Sequence, residues 1–448
     1  MKKYEVAIIG GGFSGLTSAV FLSESFGGEN VLVLEKNDRV GKKILATGNG
    51  RGNITNKNVS ESDYHSFGAG ENSADENFAG ENIASERIEN TLQKYGNKSI
   101  ISYFYSLGVP VTADGDKVFP ASLQASSVLD AIRAKLEYLQ TDVKTASECL
   151  GIERNGDGYS LKTVSGRYEA KRVIFAAGGK TGKQYGTDGN AFKILKERGV
   201  EITPLYPAIV QLKTETEHIK GLKNLKEKAL VTAFDGEKKL KSFYGDVLFT
   251  DYGVSGNAAF YLSSYLVGAK EPWLSISFTE KTQSELADFL NEKITNLPYV
   301  SVDDVLSGVI NKQIGKAIVK RSGAGDKSAR SMEKIAAAAK DFRLKVSGTL
   351  GFDYAQVTRG GVSLKETDEN FELKKLPNVF VTGEALDVDG NCGGYNLQWA
   401  YSTSRIVCEK IIGSAAKTTD ITTAKTADKT VSKADKTDEK RRIKYENR

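Results

Sequence analysis

The stretch Val6-Ala7-Ile8-Ile9-Gly10-Gly11-Gly12-Phe13-Ser14-Gly15-Leu16, continued by Thr17-Ser18-Ala19-Val20-Phe21-Leu22, decides the fold class. An apolar run meets a tight glycine turn and passes into a helix. A second apolar run, Val31-Leu32-Val33-Leu34, then ends at Glu35. Each part has a task when a dinucleotide is bound. Gly10 makes the turn, Gly12 lets the N–H groups at Phe13 and Ser14 approach a pyrophosphate at the helix N-terminus, and Gly15 allows helix and strand to lie close together. Glu35, twenty residues after Gly15, is placed to accept hydrogen bonds from a ribose hydroxyl. A lone GxGxxG is weak, because glycine turns are common, but the full strand, turn, helix, strand and acid is specific.

The residues beyond the acid select the dinucleotide. After Lys36, residues Gly41 to Asn56 form a polar, glycine-dense stretch where a protein binding only NAD would continue into an amphipathic helix. A chain that wraps the ribityl and flavin part of FAD needs small residues, backbone donors and a cation, here Lys43, Thr47, Gly48, Asn49, Gly50, Arg51 and Asn53. Further along, Val173 to Phe175 runs into Ala176, Ala177, Gly178 and Gly179, and Val379 to Val381 runs into Thr382, Gly383 and Glu384. Both read as strands ending in small residues where backbone passes a cofactor. Gly393-Gly394-Tyr395-Asn396-Leu397 opens a helix whose N–H groups would stabilise negative charge on the flavin ring. Cys149 completes the expected cofactor-binding set. The bland alternatives, a surface loop, ordinary strand ends and an unliganded helix start, would each have to hold together.

The strings GGGFSG, KKILATGNGRGNITN, KVFPASLQASSVLDA, VIFAAGG, LFTDYGVSGNA, GTLGFDYAQVTRGGVSL and VTGEALDVDGNCGGYNLQWAYS resemble a family of bacterial FAD-binding flavoproteins. These are labelled aminoacetone-oxidase-like or 3-dehydro-bile-acid reductase-like, within the glutathione-reductase-like superfamily. The resemblance runs to about Ile412 with an interruption near residues 57–90. It implies reduction of activated C=C bonds, in unsaturated steroid ketones or a ribosomal uridine, or amine oxidation. The chain departs from the family's usual residues at Gly52 (Cys), Asp251 (His) and Asn257 (Pro), and Cys392 is often not Cys there. Under this resemblance Arg51, Tyr395 and Cys392 are the candidate catalytic residues, with Tyr252 a further proton-donor candidate.

Composition agrees with a cytoplasmic enzyme. No apolar run approaches the roughly 20 residues that cross a bilayer, and three cysteines and two histidines leave neither a disulfide framework nor a histidine-rich metal site. The expected organisation is α/β: a Rossmann-type, glutathione-reductase-like FAD-binding domain at 1–189 and 356–413, with residues 190–355 inserted as a β-rich and a helical subdomain. Residues 57–90, acidic and glycine-rich, read as a mobile insertion, and 414–448 as a disordered tail.

No second GxGxxG unit is present, so NAD(P)H would have to dock transiently without that fold. The net charge is +5, of which the tail from Ser414 carries +4 (ten Lys/Arg against six Asp/Glu). Residues 301–345 hold ten Lys/Arg against five acids. That lobe reads first as a solvated helical face, with RNA contact as the alternative to a small-molecule substrate. The purified chain should carry FAD and not FMN, because the fingerprint and Glu35 address an adenosine diphosphate half that FMN lacks; heat release and chromatography of the chromophore would decide this.

Overall fold

The computed structural model describes residues 2–67 and 81–416. Lys3–Ile9 is the central strand of a parallel sheet, and Val6, Ala7, Ile8 and Ile9 are all buried, as expected where both sheet faces are covered. Across the sheet the order is Asp142–Lys144, Val31–Leu34, Lys3–Ile9, Gly166–Phe175. The far edge of Gly166–Phe175 is shared: its first half pairs antiparallel with Gly158–Thr163 and its second half pairs parallel with Val379–Val381.

The helix Phe13–Phe26 leaves this sheet through the glycine turn. A Cβ at Gly15 would lie 2.0 Å from the Gly10 carbonyl oxygen, so no larger residue fits without moving helix from strand. On its other side the helix meets a long C-terminal helix, residues 395–416. There the Ser404 hydroxyl donates to Ser14 O at 3.0 Å and the Cys408 thiol to Ser18 O at 3.6 Å.

The second body is a closed six-stranded barrel running from Leu212–Thr214 through Gly253–Ser255, Lys238–Phe249, Lys226–Asp235, Pro272–Ser277 and Phe342–Thr349. Its inward residues alternate along each strand, for example Ala229, Val231 and Ala233. Helices Gln283–Asn296, Lys312–Ser322 and Ala329–Lys340 close over it and share its core through Leu286, Leu290, Ile314, Ile318, Met332 and Ile335. The barrel therefore begins at Leu212 and not at residue 190: Phe192, Ile194, Leu195 and Val200 belong to the core of the first body. Two short strands, Tyr206–Ala208 and Val357–Arg359, pair antiparallel where the chain passes out and back.

The described parts of 57–90, residues 57–67 and 81–90, also differ from the mobile insertion expected there. Tyr64–His65 is a buried strand pairing with Asp389–Gly390, and Glu81–Lys94 is a helix. Ala84, Ile88 and Leu92, at i, i+4 and i+8, enter the core beneath an acidic outer face. Arg87 anchors the helix by donating to Leu364 O at 2.9 Å and Thr367 Oγ1 at 2.8 Å. Net acidity had masked this stripe. Residues 68–80 and the tail beyond 416 lie outside the described residues.

Gly15→Ala should cost about 1–3 kcal/mol or more, the range for overfilled contacts. A melting temperature equal to that of the wild type would show that the turn relaxes freely.

Candidate functional site

At the start of Phe13–Phe26 there is no side-chain cap and no acid in the first turn. A Cβ at Gly12 would meet nothing within 4 Å, so this end of the helix dipole faces open space suited to an anion. Glu35 is buried beside it. Its Oε2 accepts from Gly11 N at 2.8 Å, and its Oε1 accepts from Asn37 N at 2.8 Å and Asn37 Nδ2 at 2.7 Å. Asn37, which the sequence reading overlooked, thus orients the carboxylate. Lys36 is ion-paired with Asp188 at 2.9 Å. Ser147 N donates to Glu35 O, bringing the segment that leads into Cys149 alongside. Burial pushes the Cys149 thiol up to about 11, so it serves as an apolar wall.

A second convergence joins four motifs. Lys43 Nζ lies 2.7 Å from Glu384 Oε2, while Glu384 Oε1 accepts from Thr181 Oγ1 at 3.1 Å and Thr358 N at 2.9 Å. Gly179, which comes after Ala177 and Gly178 at the strand end, sits directly over Thr358 and Glu384. A Cβ at Gly383 would lie 2.9 Å from Ser14 Oγ of the fingerprint.

The third region surrounds the C-terminal helix start. Gly394 has φ +101°, and a Cβ there would lie 2.4 Å from Thr55 O, so this turn is held against the strand just after the GNGRGN loop. Asn396 closes the turn, its side chain bonding Gly390 N at 2.9 Å and Gly390 O at 2.8 Å, while Leu397 joins the first core. Burial, then the Asp63 carboxylate, pushes the Tyr395 phenol well above its usual value. Cys392 and Phe260 each pack against the buried cluster Ala208, Ile209 and Val357, and burial raises the Cys392 thiol.

The loop itself is less uniform than expected. Thr47 Oγ1 donates to Ile44 O at 2.7 Å, and Gly48, Asn49 and Gly50 turn the chain, Asn49 at φ +56°. Asn53 Nδ2 is spent on Thr55 O and Val118 O, both at 3.0 Å. Arg51 is ion-paired with Asp114 at 3.1 Å and stacks on Phe119, so its contacts are with the hairpin and not with the fingerprint or Glu384. Tyr252 stands in a barrel turn beside Asp251, which pairs with Lys223.

A buried charge cluster went unread in the sequence. Arg359 and Asp389 form a bidentate ion pair, and Arg359 Nη2 also donates to Ser264 O at 3.3 Å, fastening the barrel to the first body. Removing one partner of such a pair costs about 3–5 kcal/mol. Next to it Asp387 accepts from Phe67 N at 3.1 Å and Ser66 Oγ at 3.3 Å, and its Oδ1 has no hydrogen-bond partner among the described residues. Burial, opposed by Arg359 and assisted by Asp389, pushes its carboxyl up to about 8. Burial likewise pushes His65 down to about 3, leaving it neutral with Nε2 2.9 Å from Asn391 Oδ1. The only sequence signal was acids alternating through Asp387-Val388-Asp389 in an otherwise apolar stretch.

The basic stretch 301–345 is not a single helical face. Arg343 and Lys345 lie on a barrel strand, Lys312 and Lys316 approach Asp304, and Lys327 and Lys340 donate to backbone carbonyls. Among the described residues no helix is long and apolar enough to cross a membrane, and no group of three His, Cys, Asp or Glu could hold a metal ion.

The fold and these converging motifs are those of an FAD-dependent oxidoreductase with a Rossmann-type cofactor domain. The chain belongs to the HI0933-like family: residues 4–410 match the HI0933-like protein Rossmann domain. It is 33% identical over 410 residues to a 3-dehydro-bile acid delta(4,6)-reductase of Clostridium scindens, covering 89% of this chain and 96% of the relative. It is 25% identical over 421 residues to a ribosomal RNA dihydrouridine synthase of Escherichia coli, covering 92% and 99%. Among solved structures, a 3-ketosteroid delta1-dehydrogenase from Sterolibacterium denitrificans aligns at a TM-score of 0.49 and 11% identity, covering 92% of this chain and 100% of that one.

Two outcomes are expected. Gly12→Val fills the open space at the helix start and should abolish FAD retention, measured by the flavin-to-protein absorbance ratio. Asp387 holds a proton in the folded chain that the unfolded chain releases above the ordinary carboxylate value of 3.8, so its contribution to stability falls as pH rises from there to about 8. Asp387→Asn abolishes that titration, and its melting temperature should gain on the wild type steadily across this window.

Proposed function

We propose that this chain is a cytoplasmic, NAD(P)H-dependent reductase of an activated C=C bond in a small molecule. The observation that carries the reading is the 33% identity, over nearly the whole of both chains, to a relative whose name places its reaction at double bonds. FAD, when bound, supplies the hydride. The chain's own residues do the rest. The uncapped start of Phe13–Phe26 receives the pyrophosphate, and Glu35, held by Gly11 and Asn37, orients the ribose. The Lys43, Glu384 and Thr181 cluster binds the ribityl side. The N–H groups at Tyr395, Asn396 and Leu397, at the start of the C-terminal helix, would favour negative charge on the flavin ring. Cys392 and Phe260, both packed on the buried cluster Ala208, Ile209 and Val357, would add apolar surface on this side of the site.

A second reading, reduction of a uridine in ribosomal RNA, is favoured by the 25% identical relative. It is weakened by the carboxylates and carbonyls that already engage much of the 301–345 stretch.

Anaerobic reduction with NADH and NADPH, followed by a screen of enones and of ribosomal RNA across salt, separates the two. Bleaching by NAD(P)H and reoxidation by enones is the expected result; reoxidation by RNA alone would reverse the order. Glu384→Ala should lower FAD content far more than Arg51→Ala, because Glu384 joins four motifs whereas Arg51 is committed to Asp114.

A further inference from the structure

The barrel has an opening that the cofactor-binding segments do not use, and it begins at a break in one seam. The ladder between strands Pro272–Ser277 and Phe342–Thr349 runs from Ile276 opposite Phe342 to Trp273 opposite Lys345 and stops there. The residue that would continue it is Pro272, which has no N–H to give. The two residues before it, Lys270 and Glu271, donate their N–H groups to Asp235 Oδ1 at 2.9 and 2.7 Å. Asp235 belongs to the strand that flanks Pro272–Ser277 on its other side. The chain is thereby drawn away from Val346 to Thr349, which run on beyond the seam.

Between the two lies a cavity of about 410 Å³, inside the range of about 300–1,000 Å³ over which small-molecule sites fall. Leu212, Leu266 and Val346, all buried, give it an apolar lining. Tyr206 stands at its side, with its ring 5.8 Å from that of Phe67. Lys270 is the only charged residue that lines it, and the Lys270 ammonium has no hydrogen-bond or ion-pair partner among the described residues. The neighbouring acids Asp235 and Glu271 are not part of the lining. Nor is any residue of the Glu35 or Glu384 clusters. The nearest link to the latter is one strand away, where Pro207 in the lining stands opposite Thr358, whose N–H bonds Glu384.

An apolar recess with a single cation selects by charge as well as by shape. A neutral molecule leaves the ammonium unused, a cation is repelled by it, and a polyanion brings charges that no second cation meets. The complement is a monoanion with an apolar body. We propose that this cavity is a second small-molecule site, taking a compact amphipathic carboxylate whose apolar body lies against Leu212, Leu266 and Val346 while its carboxylate meets Lys270. Because Lys270 is exposed, the ion pair forms at the water boundary, where neither charge has to be fully desolvated. The site is independent of which substrate the flavin reduces.

The test is calorimetric titration of the FAD-loaded protein with decanoate, and with decyltrimethylammonium as the probe of opposite charge. Wild type should bind decanoate at one site and the ammonium probe about tenfold more weakly. Lys270→Gln should weaken decanoate about tenfold, as expected for loss of one charge-assisted hydrogen bond, and Lys270→Glu should reverse the order of the two probes. Ser347→Trp, at an exposed strand position where an aromatic residue is well accommodated, should close the cavity and abolish binding while the flavin-to-protein absorbance ratio stays at the wild-type value. A decanoate carrying a diazirine, irradiated and mapped by peptide mass spectrometry, should label residues within 266–270 or 346–349. Absence of decanoate binding, undiminished binding in both Lys270→Gln and Ser347→Trp, or labelling confined to other segments would overturn the proposal.

Discussion

The cofactor domain depends on the close approach of the first helix to the turn that launches it, with the Gly10 carbonyl oxygen 2.0 Å from where a Gly15 Cβ would stand. Because that contact excludes side chains, the helix N-terminus lies almost on the ends of the parallel strands. The C-terminal helix can then lie against the same surface through Ser404 and Cys408. Strand ends, small residues and two helix N-termini are thereby gathered within one region. Backbone dipoles there act on a ligand without the screening that intervening side chains and water would impose.

The two bodies are joined differently. The sheet and the barrel each have their own apolar core, and between them the join is polar, an Arg359–Asp389 pair extended to Ser264 O and flanked by Asp387, His65 and Asn391. A desolvated ion pair contributes little net stability compared with apolar contact, but it is intolerant of misalignment, because either charge left alone is costly. Such a join fixes the barrel's position against the cofactor domain. The same low-dielectric setting keeps His65 uncharged and Asp387 protonated over much of the neutral range.

Legibility in the sequence tracked the range of the interaction. The fingerprint, Glu35, the strand ends at Gly179 and Glu384 and the helix start at Gly394 could be read because each is a local pattern whose backbone geometry demands particular small residues. The strand alternation of the barrel is an equally local, periodic consequence of burial. The helix Glu81–Lys94 was misread because averaging charge over a window hides three apolar residues spaced a turn apart. The pairing of Arg51 with Asp114 was illegible for another reason: the two are 63 residues apart in sequence.

By itself, the sequence determined the α/β class, the dinucleotide fingerprint, the order of the cofactor-contacting segments and the presence of an inserted β and helical body, since these arise from periodicity and from glycine's freedom at fixed spacings. Only the tertiary structure decided which side chains share the cleft. Lys43 with Glu384, Arg359 with Asp389, His65 with Asn391 and Asn391 with Tyr265 are separated by 341, 30, 326 and 126 residues. A charge or hydroxyl carries no mark in sequence of the partner that will satisfy it. That partner is selected when burial removes water and leaves hydrogen bonding within the protein as the remaining way to satisfy the group.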